Sequence, residues 1–169
     1  MEKVILVDES DKEIGSAEKL GAHKKGLLHR AFSILIFNSK GEMLLQKRAK
    51  NKYHSGGLWT NACCSHPRPG EKTIIAANRR LKEELGLETK LSELYSFLYK
   101  ANLEDLIEHE LDHVFIGKSD DLPKPNRNEF EDFKYMNMED LRRNIADNPE
   151  NYTYWFKKII ANITKTYNR

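Results

Sequence analysis

A chain of 169 residues with 39% hydrophobic and 32% charged residues is long enough for one domain with a proper core and too apolar to be disordered. Its 28 basic and 26 acidic residues leave a net charge of +2, which excludes a global basic field for a nucleic-acid backbone, so any anion must be gripped locally. No run approaches the roughly 18 apolar residues of a membrane helix, and two adjacent cysteines, Cys63 and Cys64, exclude paired zinc knuckles and a useful disulfide.

Residues 3–8 predict a short strand. The opening residues are charged at once and lack a long apolar stretch ending in small residues, so no secretory signal is expected. Free thiols fit a reducing compartment, and the expected location is the cytoplasm. A polar turn at 9–12 leads to a second short apolar segment around Ile14. Residues 31–37 and 43–48 flank Asn38-Ser39-Lys40-Gly41, a hairpin signal. Residues 51–70 are rich in Gly, Pro, His and Cys without a sustained period and predict a long functional loop. The spacing over 72–86 predicts a helix that Gly86 ends.

Two further strands are expected at 91–99 and 106–117, with residues 102–105 between them. A Pro-containing linker at 122–125 precedes a short helix at 139–146. The last helix, about 149–166, carries Tyr152, Trp155, Phe156, Ile159, Ile160 and Ile163 at three- and four-residue spacing. Strands and helices mixed without strict alternation predict an α/β fold, a mixed β-sheet sandwiched by helices in one domain over 1–169.

Arg79 and Glu83, like Arg80 and Glu84, stand four apart on the predicted helix and can form ion pairs. Glu108 and Glu110 alternate on a predicted strand, so both carboxylates share one face while His109 and Leu111 take the other. Two carboxylates on one face repel unless a cation lies between them, which points to a metal. Cys64, in a loop with His66 two residues on, suits a thiol that exchanges a proton.

Residues 65–87 resemble the Nudix box. Glu71, Arg79, Leu81, Glu83, Glu84, Gly86 and Leu87 match that pattern, while Ser65 replaces its first Gly and Arg80 replaces the Glu after the Arg. An altered box suggests a Nudix scaffold doing chemistry other than hydrolysis. Residues 57–67, 28–33 and 108–112 closely resemble the type I isopentenyl diphosphate isomerases, and the resemblance runs from about Lys19 to Phe115 and returns at Trp155.

That resemblance implies a Nudix-like α/β/α sandwich and reversible conversion of isopentenyl diphosphate into dimethylallyl diphosphate, in isoprene biosynthesis. The reaction would run by protonation and deprotonation through a tertiary carbocation. It implies a manganese or zinc ion on His23, His29, His66, Glu108 and Glu110, a donor set less suited to magnesium. His54, His109 and His113 match no ligand position and are read as hydrogen-bonded or surface side chains. Cys64 and Glu110 match the acid and base on opposite sides of the substrate, with the direction of transfer left open. Tyr99 matches a proton relay, and Trp155 an indole against the cationic carbon. Lys19, Arg48, Lys52 and Arg80 match contacts to the diphosphate. Glu84 and the Cys64 backbone carbonyl would hold its magnesium ion. Lys24, Lys25, Lys47 and Lys50 read as a solvated basic rim.

The implied partner is a small molecule, without nucleic acid or membrane, and the implied assembly a monomer or weak homodimer. One competing reading is a Nudix pyrophosphohydrolase acting on a nucleoside diphosphate derivative, against which stand Arg80 and the pairing of Cys64 with Glu110. Another is a metal- or RNA-binding module, against which stand the near-neutral charge and the lack of an aromatic stacking motif.

Overall fold

Strand β3 (His29–Phe37) is buried almost throughout because helices cover both faces of the sheet around it. Its period of two sends Phe32, Ile34 and Ile36 into one core, with Leu44, Phe115 and helix α2 (Thr73–Leu85). Leu35 enters the other core, with Val114 and helix α4 (Tyr154–Tyr167). The computed structural model describes residues 1–124 and 126–167, the last four of these by backbone alone. Pro125 of the predicted linker lies outside the described residues. Truncating Leu81, wholly buried in the α2 core, to Ala would cost about 2–5 kcal/mol.

Both edges of β3 are taken. On one, β8 (Leu106–Lys118) runs parallel from the pair His29 and Glu110 to the pair Phe37 and Lys118. On the other, β6 (Cys63–Ser65) pairs antiparallel, Ser33 opposite Cys64. The predicted hairpin is present but short. Strand β4 (Met43–Arg48) follows the expected turn but meets β3 only at the pair Phe37 and Met43, and it pairs instead with β5 (Trp59–Thr60) and β9 (Phe130–Met136). A strand has two edges, and those of β3 serve β8 and β6. Strand β7 (Ser92–Leu103) forms a hairpin with β8 that is tighter than expected, because Leu103 already pairs with Leu106 and only Glu104 and Asp105 turn.

Strands β1 (Lys3–Val7) and β2 (Glu13–Glu18) pair at the sheet's edge, and Leu6 meets His29. Helix α1 (Lys19–Lys25), unforeseen in the sequence, follows β2. Helix α2 ends as expected: Gly86 adopts a φ of 64° and its N–H caps Lys82 O. Helix α3 (Met138–Asp147) starts where the Asn137 side chain accepts from Asp140 N. The last predicted helix is broken. A 3-10 turn at Pro149–Asn151 is followed by extended Tyr152 and Thr153, and α4 begins only at Tyr154. Thr153 N donates to Trp59 O at 3.0 Å, a non-local strand-like bond that competes with helix there. Among the described residues no helix is long and apolar enough to cross a membrane.

Candidate active site and metal centre

The register of β3 on β8 sets His29 beside Glu110, and β6 leads straight into His66. Helix α1 supplies His23. Its Nδ1 lies 2.7 Å from Lys19 O and that of His29 lies 2.8 Å from Leu27 O, so in both rings Nε2 carries the bare lone pair. These nitrogens face Glu110 Oε1, at 3.9 Å from His23 and 3.3 Å from His29, and neither has a hydrogen-bond partner. His66 Nε2 lies 3.0 Å from the same oxygen. Lone pairs aimed at a buried carboxylate repel it unless a cation intervenes, so this donor set fits a divalent ion of nitrogen and oxygen preference.

His23, His29, His66 and Glu110 offer ligand atoms that all lie within 4.8 Å of one another. Glu108, the remaining expected ligand, groups instead with His23 and His54. His54, read from the sequence as a hydrogen-bonded or surface side chain, is buried: its ring is 6% exposed, its Nδ1 lies 3.2 Å from Ser55 Oγ and its Nε2 lies 2.9 Å from Glu108 Oε1. Nothing local in the sequence marks it, because the loop folds back through Gly56, where a side chain would collide with the Lys50 carbonyl. His109 and His113 lie outside the group, His109 on Gly26 O and His113 between Asp11 and Glu93.

Burial holds the His66 imidazole down at about 4 and lowers that of His23, keeping both neutral. Burial would raise the Glu110 carboxyl, but the adjoining His29 and His66 imidazoles outweigh this and hold it well below the carboxylate range. Tyr99, opposite Glu110 on β7, places its hydroxyl 2.7 Å from Glu108 Oε2 and 2.7 Å from Glu110 Oε2. One hydroxyl proton serves one carboxylate at a time.

Cys63 and Cys64 point to opposite faces of β6 as alternation demands. Cys63 is wholly buried in the α2 core, whereas Cys64 turns toward Glu110's side of the sheet. Its Sγ–H donates to Asn61 Oδ1 and Trp155 Nε1–H donates to Sγ, both at 3.0 Å. Burial, followed by the Asp112 carboxylate, pushes the Cys64 thiol up, so the group is a protonated acid and not a thiolate. Ser33, 3.5 Å from that sulfur, donates to Asp112 at 2.8 Å. Cys64, Tyr99, Glu108, Glu110, His54 and Trp155 help line one inner chamber of about 30 Å³. Arg48 already sits over the Trp155 indole, 5.3 Å from its centroid.

An outer cleft of about 580 Å³ adjoins this chamber and gathers Lys19, Arg48, Lys52 and Arg80, together with Glu84 and Cys64. Arg80 reaches Glu84 at 2.7 Å, as its spacing predicts, and Arg79 reaches Glu83 at 3.3 Å. Arg79 also forks onto Glu71 at 2.8 and 2.9 Å, tying the loop before α2 to the helix. Burial raises the Glu84 carboxyl despite Arg80 beside it. Glu129, which sequence patterning does not single out, joins two of the cations, 2.6 Å from Lys52 and 3.1 Å from Arg80. Lys24, Lys25 and Lys50 are exposed, and Lys47 pairs with Glu131.

Residues 27–157 match the NUDIX domain family. The chain is 54% identical to isopentenyl-diphosphate Delta-isomerase 2 of Photorhabdus laumondii, over 96% of this chain and 93% of that protein. It is 49% identical to the isopentenyl-diphosphate Delta-isomerase of Pectobacterium atrosepticum, over 95% and 90%. Among solved structures, DR0079 from Deinococcus radiodurans superposes with a TM-score of 0.80 at 20% identity, covering 95% of this chain and 98% of that one. The MutT protein from Methanosarcina mazei superposes at 0.69 and 19% identity, covering 84% and 96%. These last two likenesses are of fold.

Proposed function

Because the chain belongs to the isopentenyl-diphosphate Delta-isomerase family of NUDIX-domain proteins, we propose that it interconverts isopentenyl diphosphate and dimethylallyl diphosphate. The observation that carries this reading is the placing of a protonated thiol, Cys64, and an ionised carboxylate, Glu110, on strands at opposite edges of β3, lining one chamber beside a cation-lined cleft.

In this mechanism Lys19, Arg48, Lys52 and Arg80 bind the diphosphate in the cleft, and the five-carbon tail enters the chamber. One of Cys64 and Glu110 gives a proton to the terminal methylene carbon, and the other removes one from the carbon next to the resulting tertiary cation. The reverse reaction exchanges their parts. Tyr99 returns the proton between Glu110 and Glu108. The Trp155 indole lies against the cationic carbon, an attraction of about 2 kcal/mol once water is excluded, and its face already accepts Arg48. A chamber of about 30 Å³ admits little more than one water-sized group, so Arg48 and Tyr53 in its wall withdraw as the tail enters. His23, His29, His66, Glu108 and Glu110 hold a manganese or zinc ion, and Glu84 with the Cys64 carbonyl a magnesium ion. When bound, these ions keep the paired carboxylates ionised and neutralise the diphosphate.

We place the activity in the cytoplasm, in isoprene biosynthesis, in one domain acting as a monomer or weak homodimer. To test the reading, the protein is chelated, reloaded with manganese or zinc plus magnesium, and given isopentenyl diphosphate. The expected result is dimethylallyl diphosphate without inorganic phosphate, lost on chelation and restored on reloading. Phosphate release from a nucleoside diphosphate derivative with no turnover of the alkene would replace this reading by a pyrophosphohydrolase.

A further inference from the structure

Asn61 lies between β5 and β6, wholly buried, and lines neither the chamber nor the cleft. Its Nδ2 donates to Ile34 O at 3.1 Å and to Cys63 O at 2.9 Å. Both partners are carbonyls and only accept, so the amide has a single orientation and its Oδ1 must face the other way. There it meets Thr60 Oγ1 at 2.9 Å and Cys64 Sγ at 3.0 Å.

Each proton around the sulfur has its place. The Ser33 hydroxyl, 3.5 Å from Sγ, gives its proton to Asp112, and the Trp155 indole N–H donates to Sγ at 3.0 Å. The thiol's own proton is left facing acceptors, of which Asn61 Oδ1 is nearer than Ser33 Oγ. Thr60, buried like Asn61, donates to the same Oδ1 and accepts from Thr153 Oγ1 at 2.9 Å. Thr153 stands two residues before Trp155, so the bonds close a ring through Trp155, Cys64, Asn61, Thr60 and Thr153. A buried ring whose donors and acceptors are all matched favours one arrangement of its members.

We propose that Asn61 is a positioning residue for the reaction: its Oδ1 holds the Cys64 S–H and, through Thr60 and Thr153, keeps the sulfur and the Trp155 indole in fixed relation where both line the chamber. The inference rests on the reading of Cys64 as one of the two groups that trade a proton with carbon. In the resting protein the S–H lies on an oxygen outside the chamber wall, and rotation about Cβ–Sγ alone turns it to the substrate with the sulfur unmoved. When Cys64 is the donor, the alkene's π pair forms the new C–H bond as S–H breaks, and the S–H electron pair stays on sulfur, beside the Trp155 N–H. In the opposite direction the proton passes from carbon to sulfur and back onto Oδ1. Asn61 itself neither gives nor takes a proton.

The test reads the S–H stretching band by infrared absorption in a Cys63→Ala background, where Cys64 is the one remaining cysteine. In the same background kcat and KM are measured with isopentenyl diphosphate, and folding is checked by thermal melting. The expected band has the lowered frequency of a hydrogen-bonded thiol and rises in Asn61→Ala, with a fall in kcat of about 10- to 100-fold and little change in KM. Thr60→Val keeps the amide but removes the hydroxyl that shares Oδ1 and the tie to Thr153. Its band is expected to fall further and its kcat to drop by less than in Asn61→Ala, and it decides the matter if Asn61→Ala fails to fold. A band at the free-thiol frequency, or one that neither variant moves, would overturn the proposal. So would a band that moves while kcat stays unchanged, with Cys64→Ala inactive. A Cys64→Ala protein as active as its parent would instead overturn the reading of Cys64 beneath the proposal, while the bond itself stood.

Discussion

The inner chamber and the outer cleft share Arg48, Tyr53, Cys64 and His66 in their walls, yet they hold charge in opposite ways. Beside the chamber, His23 and His29 turn their Nε2 atoms toward the buried Glu110 carboxylate, an arrangement that a cation completes. In the cleft the opposite charges are already paired with one another: Lys52 and Arg80 share Glu129, and Arg80 also holds Glu84. The difference teaches where binding and chemistry are separated. Ion pairs at a part-exposed surface exchange one anion for another at small cost, which suits a site that takes and releases a diphosphate. Fixed, desolvated groups suit proton transfer to carbon.

If the chamber performs the chemistry, the largest effect falls on its thiol. Cys64→Ala is expected to lower kcat by about 10²- to 10⁴-fold. Cys63→Ala, altering a sulfur on the other face of β6, is expected to keep most activity and to lose about 1 kcal/mol of stability. Equal losses of turnover would break the distinction between the two faces. In the cleft, Lys52→Met is expected to raise KM about 10-fold with a smaller change in kcat, as a binding cation should; a fall in kcat alone would move Lys52 into the chemistry.

The smallest effect concerns the tie between the two regions' supporting elements. Its bond to Arg79 lowers the Glu71 carboxyl below its ordinary value, against a smaller opposing effect of burial. A carboxyl lowered in the folded state stabilises above its unfolded value of about 4.3, and that stability is lost as pH falls through the folded value. Glu71→Gln is expected to cost about 0.2–1 kcal/mol near neutral pH and to flatten the acid limb of the melting temperature. An unchanged acid limb would show that the pair does not hold the loop.

Sequence patterning captured what local spacing controls. The period of β3, the Gly86 stop of α2, the shared face of Glu108 and Glu110 and the four-residue pairs of Arg79 and Arg80 all depend on neighbours in the chain. What it missed depends on distant partners. Strand β9 hides its alternation because the register on β4 shifts at Lys47 and Arg48, so Phe130 and then Phe133 and Tyr135 face the same core from a broken period. The break before α4 is imposed by Trp59, and His54 and Glu129 acquire meaning only when the loop and β9 come to Glu108 and Arg80. Most of the candidate site was legible because its residues sit in short motifs.

The central claim is that the chamber moves protons on carbon while the cleft only binds the diphosphate. The most direct measurement is nuclear magnetic resonance of the products formed from isopentenyl diphosphate in deuterated water, with released phosphate assayed in the same tube. The account predicts deuterium in a methyl group of dimethylallyl diphosphate, its incorporation abolished in Glu110→Gln, and no phosphate. Phosphate released without deuterium on carbon would contradict it.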